Sequence, residues 1–226
     1  MTELVGPTPR LLSTAFANPF GMNYYSYVVA RDYGFAPNPF GEYCTLATCK
    51  PKIRKAAQAG DWIIGTGSKQ MKLGNRLIFA MQVSEALTFD EYWISDRFAY
   101  KKPVLNGSIV QMFGDNIYHH NGAGWLQENS HHSNEDGSAN LKNLNRDTSA
   151  DRVLAATHFF YFGKACPEIP AELLEEVCKA GIGEKKLTAL AGQQLVEWLT
   201  ANYEPGLIDD PLQFNGGKFD RYDGGK

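Results

Sequence analysis

The stretch from Cys44 to Glu85 contains the residues whose chemistry can be argued most directly. Its basic run, Lys50–Lys55, stands out because the whole chain carries a formal net charge of -3 and has no general basic character. Nucleic-acid binding by such a chain must rely on a local positive patch, and this run is the candidate. The same residues can instead form only the solvated side of a helix.

A glycine-rich segment, Gly65–Ser68, follows the basic run. Glycine has no side chain, so the backbone amides of such a turn can approach a ligand closely. The preceding residues, Asp61–Ile64, have the apolar composition of a buried strand. The sequence therefore predicts a strand that opens into a turn able to face a ligand.

Two cysteines, Cys44 and Cys49, lie just before the basic run. Cys49 lies close to a predicted helix N-terminus, where a thiolate is favoured. No histidine partner can be located from the sequence, so Cys44 and Cys49 are both interpreted as ordinary reduced cysteines. Cys166 and Cys178 complete the set of four, and none of the spacings is that of a metal-binding CxxC pair.

The histidines invite a metal hypothesis, because His119-His120 and His131-His132 are two adjacent pairs separated by a polar segment. Adjacent residues on a strand point to opposite faces, so each pair offers one convenient ligand at most. We therefore expect no metal and no cofactor. His158 lies within an aromatic strand and is interpreted as a residue of the core or of a pocket wall rather than as a general base.

A short helix should position the basic run. Thr48 or Lys50 can cap it, Pro51 suits its first turn, Lys52–Ala59 favours helix and Gly60 supplies the end. The remaining elements follow from periodicity, caps and turn residues. They are strands at Tyr24–Arg31, Leu77–Val83 (antiparallel to the Asp61–Ser68 strand), Ser108–Met112 and Arg152–Phe162, a rim loop at 32–43, a helix capped by Thr88 that packs Phe89 and Trp93 inward, a long polar loop at 121–150, helices at Pro170–Ala180 and Glu184–Asn202, and an extended tail anchored by Phe214 and Phe219.

The chain has 226 residues, of which 43% are hydrophobic. It can bury an adequate core, and its length favours one elaborated domain. The mixture of predicted strands and helices indicates the α+β class. No signal peptide or long apolar run is present, so we expect a cytoplasmic protein without a membrane segment.

The order of these elements resembles a known family. The segments that carry the resemblance are Tyr24–Asp32, Tyr43–Lys55, Ala59–Ser68 with the sequence AGDWIIGTGS, and Leu77–Trp93. They are similar to the EVE branch of the PUA-like barrels and, within it, to the nucleotide-modification-associated domain of the second type. The tryptophan that EVE modules often carry in the segment corresponding to Tyr43–Ala47 is missing here.

The resemblance implies a curved β-barrel with flanking helices and a pocket between its first strands and first helix. Such pockets accept a base or nucleotide from DNA or RNA, or in the free form, and EVE-like modules are thought to favour modified bases. The expected layout is an N-terminal arm at 1–22, the barrel at 23–165 with its long loop, and a helical extension with a tail at 166–226. The extension offers helices for a homodimer or protein partner.

A flipped base needs aromatic faces, edge hydrogen bonds and positive charge for phosphate. The resemblance places all three types of residue near the pocket. A tryptophan in the position of Trp62 is more often a core residue than a stacking surface. Tyr25 and Tyr27 share one face of their strand, and that face is equally compatible with the core and with the pocket. Candidate ligand-binding residues are Tyr25, Ser26, Tyr27, Arg31, Thr45, Thr48, Lys50, Trp62, Gly65, Thr66, Gly67 and Ser68. Candidate phosphate-binding residues are Lys52, Arg54 and Lys69.

We therefore expect a binding module that recognises a modified base or nucleotide rather than an enzyme. The alternative is a small nucleotide-processing or nucleoside-processing hydrolase, because related ASCH-type domains include such enzymes. In that interpretation Lys50, Thr48 and Glu85 would act together. The spacing typical of those enzymes is not present, so no catalytic residue is predicted.

Overall fold

The structure is a computed structural model that describes residues 21–122, 124–181, 183–214 and 218–224. Apart from its last two residues, the predicted arm at 1–22 lies outside the described residues. The strands are β1 (Tyr24–Val29), β2 (Cys44–Leu46), β3 (Trp62–Gly67), β4 (Leu77–Gln82), β5 (Glu85–Leu87), β6 (Tyr118–His120), β7 (Trp125–Gln127), β8 (Val153–Ala156), β9 (His158–Tyr161), β10 (Glu184–Lys186) and β11 (Gly206–Leu207). The helices are α1 (Pro51–Ala56), α2 (Phe89–Ile94), α3 (Ile109–Met112), α4 (Leu141–Thr148), α5 (Leu174–Val177) and α6 (Ala189–Asn202).

A six-stranded sheet, in the order β10-β1-β3-β4-β9-β11, forms the main layer. The predicted antiparallel pairing of β3 with β4 is confirmed. β1 runs parallel to β3, with Tyr27 opposite Gly65. A Cβ atom on Gly65 would lie 2.1 Å from the Phe79 ring, so glycine is required there for close packing of the strands.

A second sheet has three strands in the order β2-β8-β5. The segment Arg152–Phe162, predicted as one strand, is in fact two strands in different sheets, because the chain leaves the small sheet at Thr157. The backbone N–H of Thr157 donates to Ser84 Oγ at 3.1 Å instead of to a neighbouring strand. The fold is thus mixed α+β with several sheets, as the sequence indicates.

Two apolar clusters fill the interior. The first packs the large sheet against α6 and includes Ile63, Phe79, Phe160 and Leu195. The second lies around the small sheet and α2 and includes Phe89. Alternate residues of β8 belong to different clusters, Leu154 and Ala156 to the first and Val153 and Ala155 to the second, so the clusters lie on opposite faces of the small sheet.

The predicted starts of the first two helices are confirmed, whereas the strand predicted between them and the polar loop is misassigned. α2 begins after Thr88, which forms a reciprocal capping box with Glu91. Ser108–Met112, predicted as a strand, is instead the short helix α3, because Ser108 and Gln111 form a second capping box. In α2, Phe89 is buried as expected, whereas Trp93 is half-buried and stacks on His119.

The C-terminal region departs from two continuous helices. Glu184–Lys186 is β10, which pairs with β1 and places Glu184 opposite Tyr27. α6 begins only after the cap residue Thr188. The exposed large apolar side chain of α6 is Leu190, so this helix does not present an apolar stripe. Among the described residues, no helix combines the length and the apolar character needed to cross a membrane.

The predicted tail anchors are confirmed. Phe214 packs against Phe40 and Phe113, and Phe219 packs against Phe113. These contacts bring the tail back over the loop at 32–43. The tail therefore reaches the same side of the large sheet as the loop that was predicted to be a rim.

Lys101 and Asp115 are buried charges close to this loop. Lys101 Nζ donates to Asn38 O and Asn38 Oδ1, both at 2.8 Å, and to Tyr43 O at 2.7 Å. Burial lowers the pKa of Lys101 to about 8 and raises that of Asp115 to about 6. The three hydrogen bonds of the ammonium group hold the loop at 32–43 on the second cluster.

Replacing Lys101 with methionine should therefore destabilise the fold. The Lys101→Met variant removes three hydrogen bonds, including the one to the Tyr43 carbonyl oxygen, and takes a positive charge away from the buried Asp115, so we expect a loss of about 1–3 kcal/mol in the free energy of unfolding. Urea denaturation monitored by circular dichroism measures it. The matched control is Lys55→Met, on the exposed side of α1, which should change stability by less than about 0.5 kcal/mol. Equal losses in both variants would contradict the role assigned to Lys101.

Candidate functional site

A cavity of about 470 Å³ opens beside β1 and the start of α1. The loop at 32–43 and the segment around His131 and His132 form its other walls. The tail closes one side through Tyr222. The cavity thus lies where the sequence predicts a pocket, between the opening strand and the first helix.

The backbone leading into α1 is strained at two consecutive residues. Cys49 has φ 57° and Lys50 has φ 41°, both in the left-handed region that side-chain-bearing residues rarely adopt. Each such residue costs about 1–3 kcal/mol, and strain of this kind concentrates at functional sites. Both residues line the cavity.

A histidine and a carboxylate accompany Cys49. The Cys49 Sγ atom lies 4.0 Å from His132 Nε2, and His132 Nδ1 lies 2.9 Å from Asp147 Oδ2. The carboxylate only accepts, so the hydrogen-bond network assigns the Nδ1 proton to His132. The backbone N–H of Cys49 also donates to Asp147 Oδ1 at 2.9 Å. One carboxylate therefore fixes both the cysteine backbone and the histidine ring.

The charges of this group are mutually stabilising. Burial raises the pKa of Cys49, but the hydrogen bond to His132 and the positive charges of His132 and Arg146 together outweigh it, so the pKa is lowered. Burial would lower the pKa of His132, yet its hydrogen bonds to Asp147 and Cys49 raise it. The pKa of Asp147 is lowered despite its burial, because His132 and Arg146 bind it. The arrangement favours a thiolate paired with an imidazolium.

Asp147 has two further donors. Arg146 Nε lies 2.8 Å from Asp147 Oδ1, and the Tyr118 hydroxyl donates to Asp147 Oδ2 at 2.9 Å. The side chain of Asp147 is completely buried. A buried carboxylate without such partners would be strongly destabilising, so these donors keep it ionised inside the protein.

The cavity walls are aromatic and cationic. Lys50 Nζ lies 4.6 Å from the centre of the Tyr27 ring, and the Arg31 guanidinium lies 4.9 Å from the centre of the Tyr222 ring. Both are cation–π distances. Tyr33 and Phe35 add further aromatic surface. The combination can bind a planar, negatively charged ligand.

Three of the predicted ligand-binding residues meet in this cavity: Tyr27, Arg31 and Lys50. Gly67, Ser68 and the predicted phosphate contact Lys69 instead line a neighbouring cavity of about 150 Å³. The predicted glycine turn is therefore beside the main cavity and does not form its wall.

The other predicted residues lie away from the cavity. Ser26 is buried and donates to the carbonyl of Val177 at 2.7 Å. Thr45 donates to Asp115 at 2.7 Å, and Trp62 is buried against Phe160. Tyr25, Thr48, Gly65 and Thr66 are likewise absent from the lining residues.

The two basic residues of α1 predicted to meet phosphate have different environments. The Lys52 side chain is 87% exposed and lies 3.9 Å from Glu184. Arg54 is fully buried, and its Nε donates to Cys49 O at 2.8 Å while Nη1 donates to Ala150 O at 2.7 Å. The basic run is therefore not one solvated face. Arg54 is occupied by carbonyl oxygens and supports the strained turn at Cys49.

No histidine partner for Cys49 could be located from the sequence, and the structure places His132 beside it. Its partner, His132, comes from the polar segment at 121–150, which was predicted as a long loop and which folds into β7, α4 and their connections. The sequence separation between Cys49 and His132 is 83 residues, and no local pattern links them. The residues at the cavity that the sequence analysis did not single out include Tyr33, Phe35, Arg146 and Tyr222, together with Asp147 behind His132. The signal that could have drawn attention to Asp147 is the Arg146-Asp147 pair on a helix capped by Asn140.

The other histidines that were considered in the sequence analysis make packing or surface contacts. His119 Nε2 lies 2.8 Å from Glu128, and His120 Nδ1 lies 2.8 Å from Asp90. His158 packs edge-on against Trp62. Within the described ranges, no group of three or more histidine, cysteine or acidic residues is arranged to hold a metal ion.

The structure is thus a mixed α+β protein with a cavity lined by a cysteine, aromatic residues and cations. A family model described as nucleotide modification associated domain 2 matches residues 21–218. The match covers most of the chain, so the protein belongs to this family and the resemblance inferred from its sequence is confirmed. Comparisons with curated proteins and with solved structures gave no match. The family description links the chain to modified nucleotides.

The support that Arg54 gives to the Cys49 turn can be tested through stability. Arg54→Lys keeps the charge but cannot reproduce the planar fork of donors, so we expect a loss of about 1.5–3 kcal/mol in the free energy of unfolding. Guanidinium denaturation gives the value. The matched change in the same helix, Lys52→Ala, removes an exposed charge and should cost less than about 0.5 kcal/mol. Wild-type stability of Arg54→Lys would show that the guanidinium contacts are dispensable.

Proposed function

We propose that the 470 Å³ cavity binds a modified base or nucleotide. The observation that carries the proposal is the meeting of aromatic rings and positive charge in one cavity of a chain whose family is associated with nucleotide modification. The volume falls within the range of about 300–1,000 Å³ typical of small-molecule sites. A single nucleotide, free or turned out of a strand, suits that size better than a stacked duplex.

The base is expected to lie against the aromatic walls. Tyr27, Tyr33 and Tyr222 line the cavity, and Phe35 adds an apolar side chain. Base stacking on aromatic side chains contributes about 1–3 kcal/mol per base. Gln70 and Glu184 also line the cavity and can form hydrogen bonds with the edge of the base.

The phosphate is expected to bind the cations at the cavity walls. Arg31, Lys50 and Arg146 line it, and Glu184 is the acidic residue among the lining residues that the structure describes. The local charge is therefore positive although the chain has a net charge of -3. Arg31 is exposed at its position after β1 and is free of the Asp147 network, which suits a contact with a ligand phosphate.

Two finer expectations stay proposals. The PUA-like barrel is supported by the element order and by the pocket between opening strand and first helix. The hydrolase arrangement of Lys50, Thr48 and Glu85 receives less support, because Lys50 alone of the three lines the cavity. Glu85 binds Arg97 at 2.7 Å, and Thr48 is buried.

Nucleotide binding can be measured directly by equilibrium dialysis with 5-methyl-dCMP and dCMP, using the corresponding nucleosides to isolate the phosphate contribution. We expect the monophosphates to bind more tightly than the nucleosides. The Arg31→Ala variant should lose about tenfold in affinity for the monophosphates, because a hydrogen bond to a charged group contributes about 1.5–3 kcal/mol when well formed.

The control for this experiment is Lys55→Ala, which removes the same charge from an exposed position outside the cavity. It should bind the monophosphates like wild type. Equal affinity for nucleosides and monophosphates, or an equal loss in Arg31→Ala and Lys55→Ala, would contradict the assigned phosphate contact. Absence of any nucleotide binding would remove the proposed function.

A further inference from the structure

We infer that Cys49 is a catalytic nucleophile that cleaves an acyl group from the ligand in the cavity, with His132 as acid and base and Asp147 as their positioning residue. The ligand class is an amide or ester substituent on a nucleotide. The identity of the ligand rests on the proposed nucleotide-binding function. The nucleophile itself rests on the geometry of Cys49, His132 and Asp147 alone.

The first support is the order of the three groups. Sγ of Cys49 lies 4.0 Å from Nε2 of His132, and the opposite ring nitrogen lies 2.9 Å from the carboxylate of Asp147. A nucleophile, a base and a residue that orients the base are the parts that thiol-dependent acyl transfer requires. In ligand-free sites the contact between nucleophile and base is often longer than in the reacting complex, so 4.0 Å fits this role.

The second support is the placement of the thiol. Cys49 is half-buried, lines the cavity and is held in a strained left-handed conformation by the backbone contact to Asp147. The other cysteines lack this setting. Cys44 is fully buried with its Sγ atom 3.8 Å from Met81 Sδ, and Cys178 is partly buried against the first apolar cluster.

The electrostatic surroundings agree with this geometry. Burial and the charge of Asp147 raise the pKa of Cys49, but the contributions of His132 and Arg146 outweigh them and the pKa is lowered. Lys50 and Arg54 are further cations near the thiol. The Tyr27 and Tyr118 hydroxyls stay neutral because burial raises their pKa well above the usual value. By contrast, burial raises the pKa of Cys44 to about 12 and raises that of Cys178.

The chemical step balances with water as the co-reactant. The Cys49 thiolate attacks the carbonyl carbon, an S–C bond forms, and the carbonyl π electrons move to oxygen. Collapse of this adduct breaks the C–N or C–O bond, and His132 Nε2 gives its proton to the leaving nitrogen or oxygen. Water then attacks the thioester and gives a proton to His132, the C–S bond breaks, and a carboxylic acid leaves with the thiolate restored.

Thiol reactivity tests the nucleophile without knowledge of the ligand. Wild-type protein is treated with iodoacetamide across the pH range, and each cysteine is followed by peptide mass spectrometry. At about pH 6, Cys49 should react at least about tenfold faster than Cys178, because its thiolate persists below the ordinary thiol pKa of about 8.5. The inference is overturned if the alkylation rate of Cys49 depends on pH like that of an ordinary thiol, or if Cys49 does not react.

The His132→Gln variant removes the partner while keeping a polar side chain of similar reach. Its Cys49 alkylation profile should move to higher pH, with the melting temperature recorded to confirm folding. His119→Gln is the control, because His119 binds Glu128 away from the cavity and should leave the profile unchanged. If His132→Gln does not fold, the comparison of Cys49 with Cys178 in wild type still decides the question.

Acyl transfer is tested with p-nitrophenyl acetate and with N4-acetyl-dCMP, an amide of a nucleotide. We expect a burst of p-nitrophenolate, an acetyl group on Cys49 by mass spectrometry, release of dCMP from the second probe, and loss of all three in Cys49→Ala. Acylation by the ester without hydrolysis of the acetylated nucleotide overturns the substrate class.

The binding experiment separates this inference from the proposed function. If dCMP binds but neither probe acylates Cys49, the nucleophile is wrong and nucleotide binding stands. If p-nitrophenyl acetate acylates Cys49 while no nucleotide binds or protects it, the nucleophile stands and the nucleotide assignment is wrong.

Discussion

The buried carboxylate of Asp147 is the interaction on which the site depends. It accepts hydrogen bonds from the Cys49 backbone, His132, Arg146 and Tyr118, which come from four separate parts of the chain. An ionised carboxylate in the interior is tolerated only when such donors surround it. The fold must therefore bring these segments together in one arrangement. The same requirement that keeps Asp147 charged also sets the distance between the thiol and the imidazole.

This constraint explains how a polar segment becomes ordered. Residues 121–150 contain few apolar side chains, so hydrophobic burial alone does not fix their position. Polar contacts supply what is missing: Asn143 donates to the carbonyls of His132 and Tyr222, and Gln127 donates to the carbonyl of His132. Arg54 donates to the carbonyl oxygens of Cys49 and Ala150, and so it links the turn at Cys49 to the end of this segment. A buried hydrogen-bond network of this kind stabilises one geometry, which suits a site that has to be preorganised.

Local signals in the sequence predict the parts of the fold that local interactions decide. The β3–β4 pair, the Thr88 cap and the anchoring of Phe214 follow from composition and spacing. Ser108–Met112 was misassigned because an apolar run of that length is compatible with a strand or a helix. The capping box of Ser108 and Gln111 selects the helix. The division of Arg152–Phe162 between two sheets depends on a tertiary contact at Thr157. The site was least predictable, because Cys49 meets Asp147 across 98 residues.

The strained pair Cys49-Lys50 connects binding with chemistry. Both residues have positive φ, and the second directs its ammonium over the Tyr27 ring while the first directs its thiol toward His132. The need to place the Lys50 cation does not explain this strain, because a flexible lysine side chain can reach a phosphate from many backbone conformations. A thiol that must lie beside one imidazole has far less freedom. The strain is therefore better explained by the placement of the thiol, with the Lys50 position as its consequence.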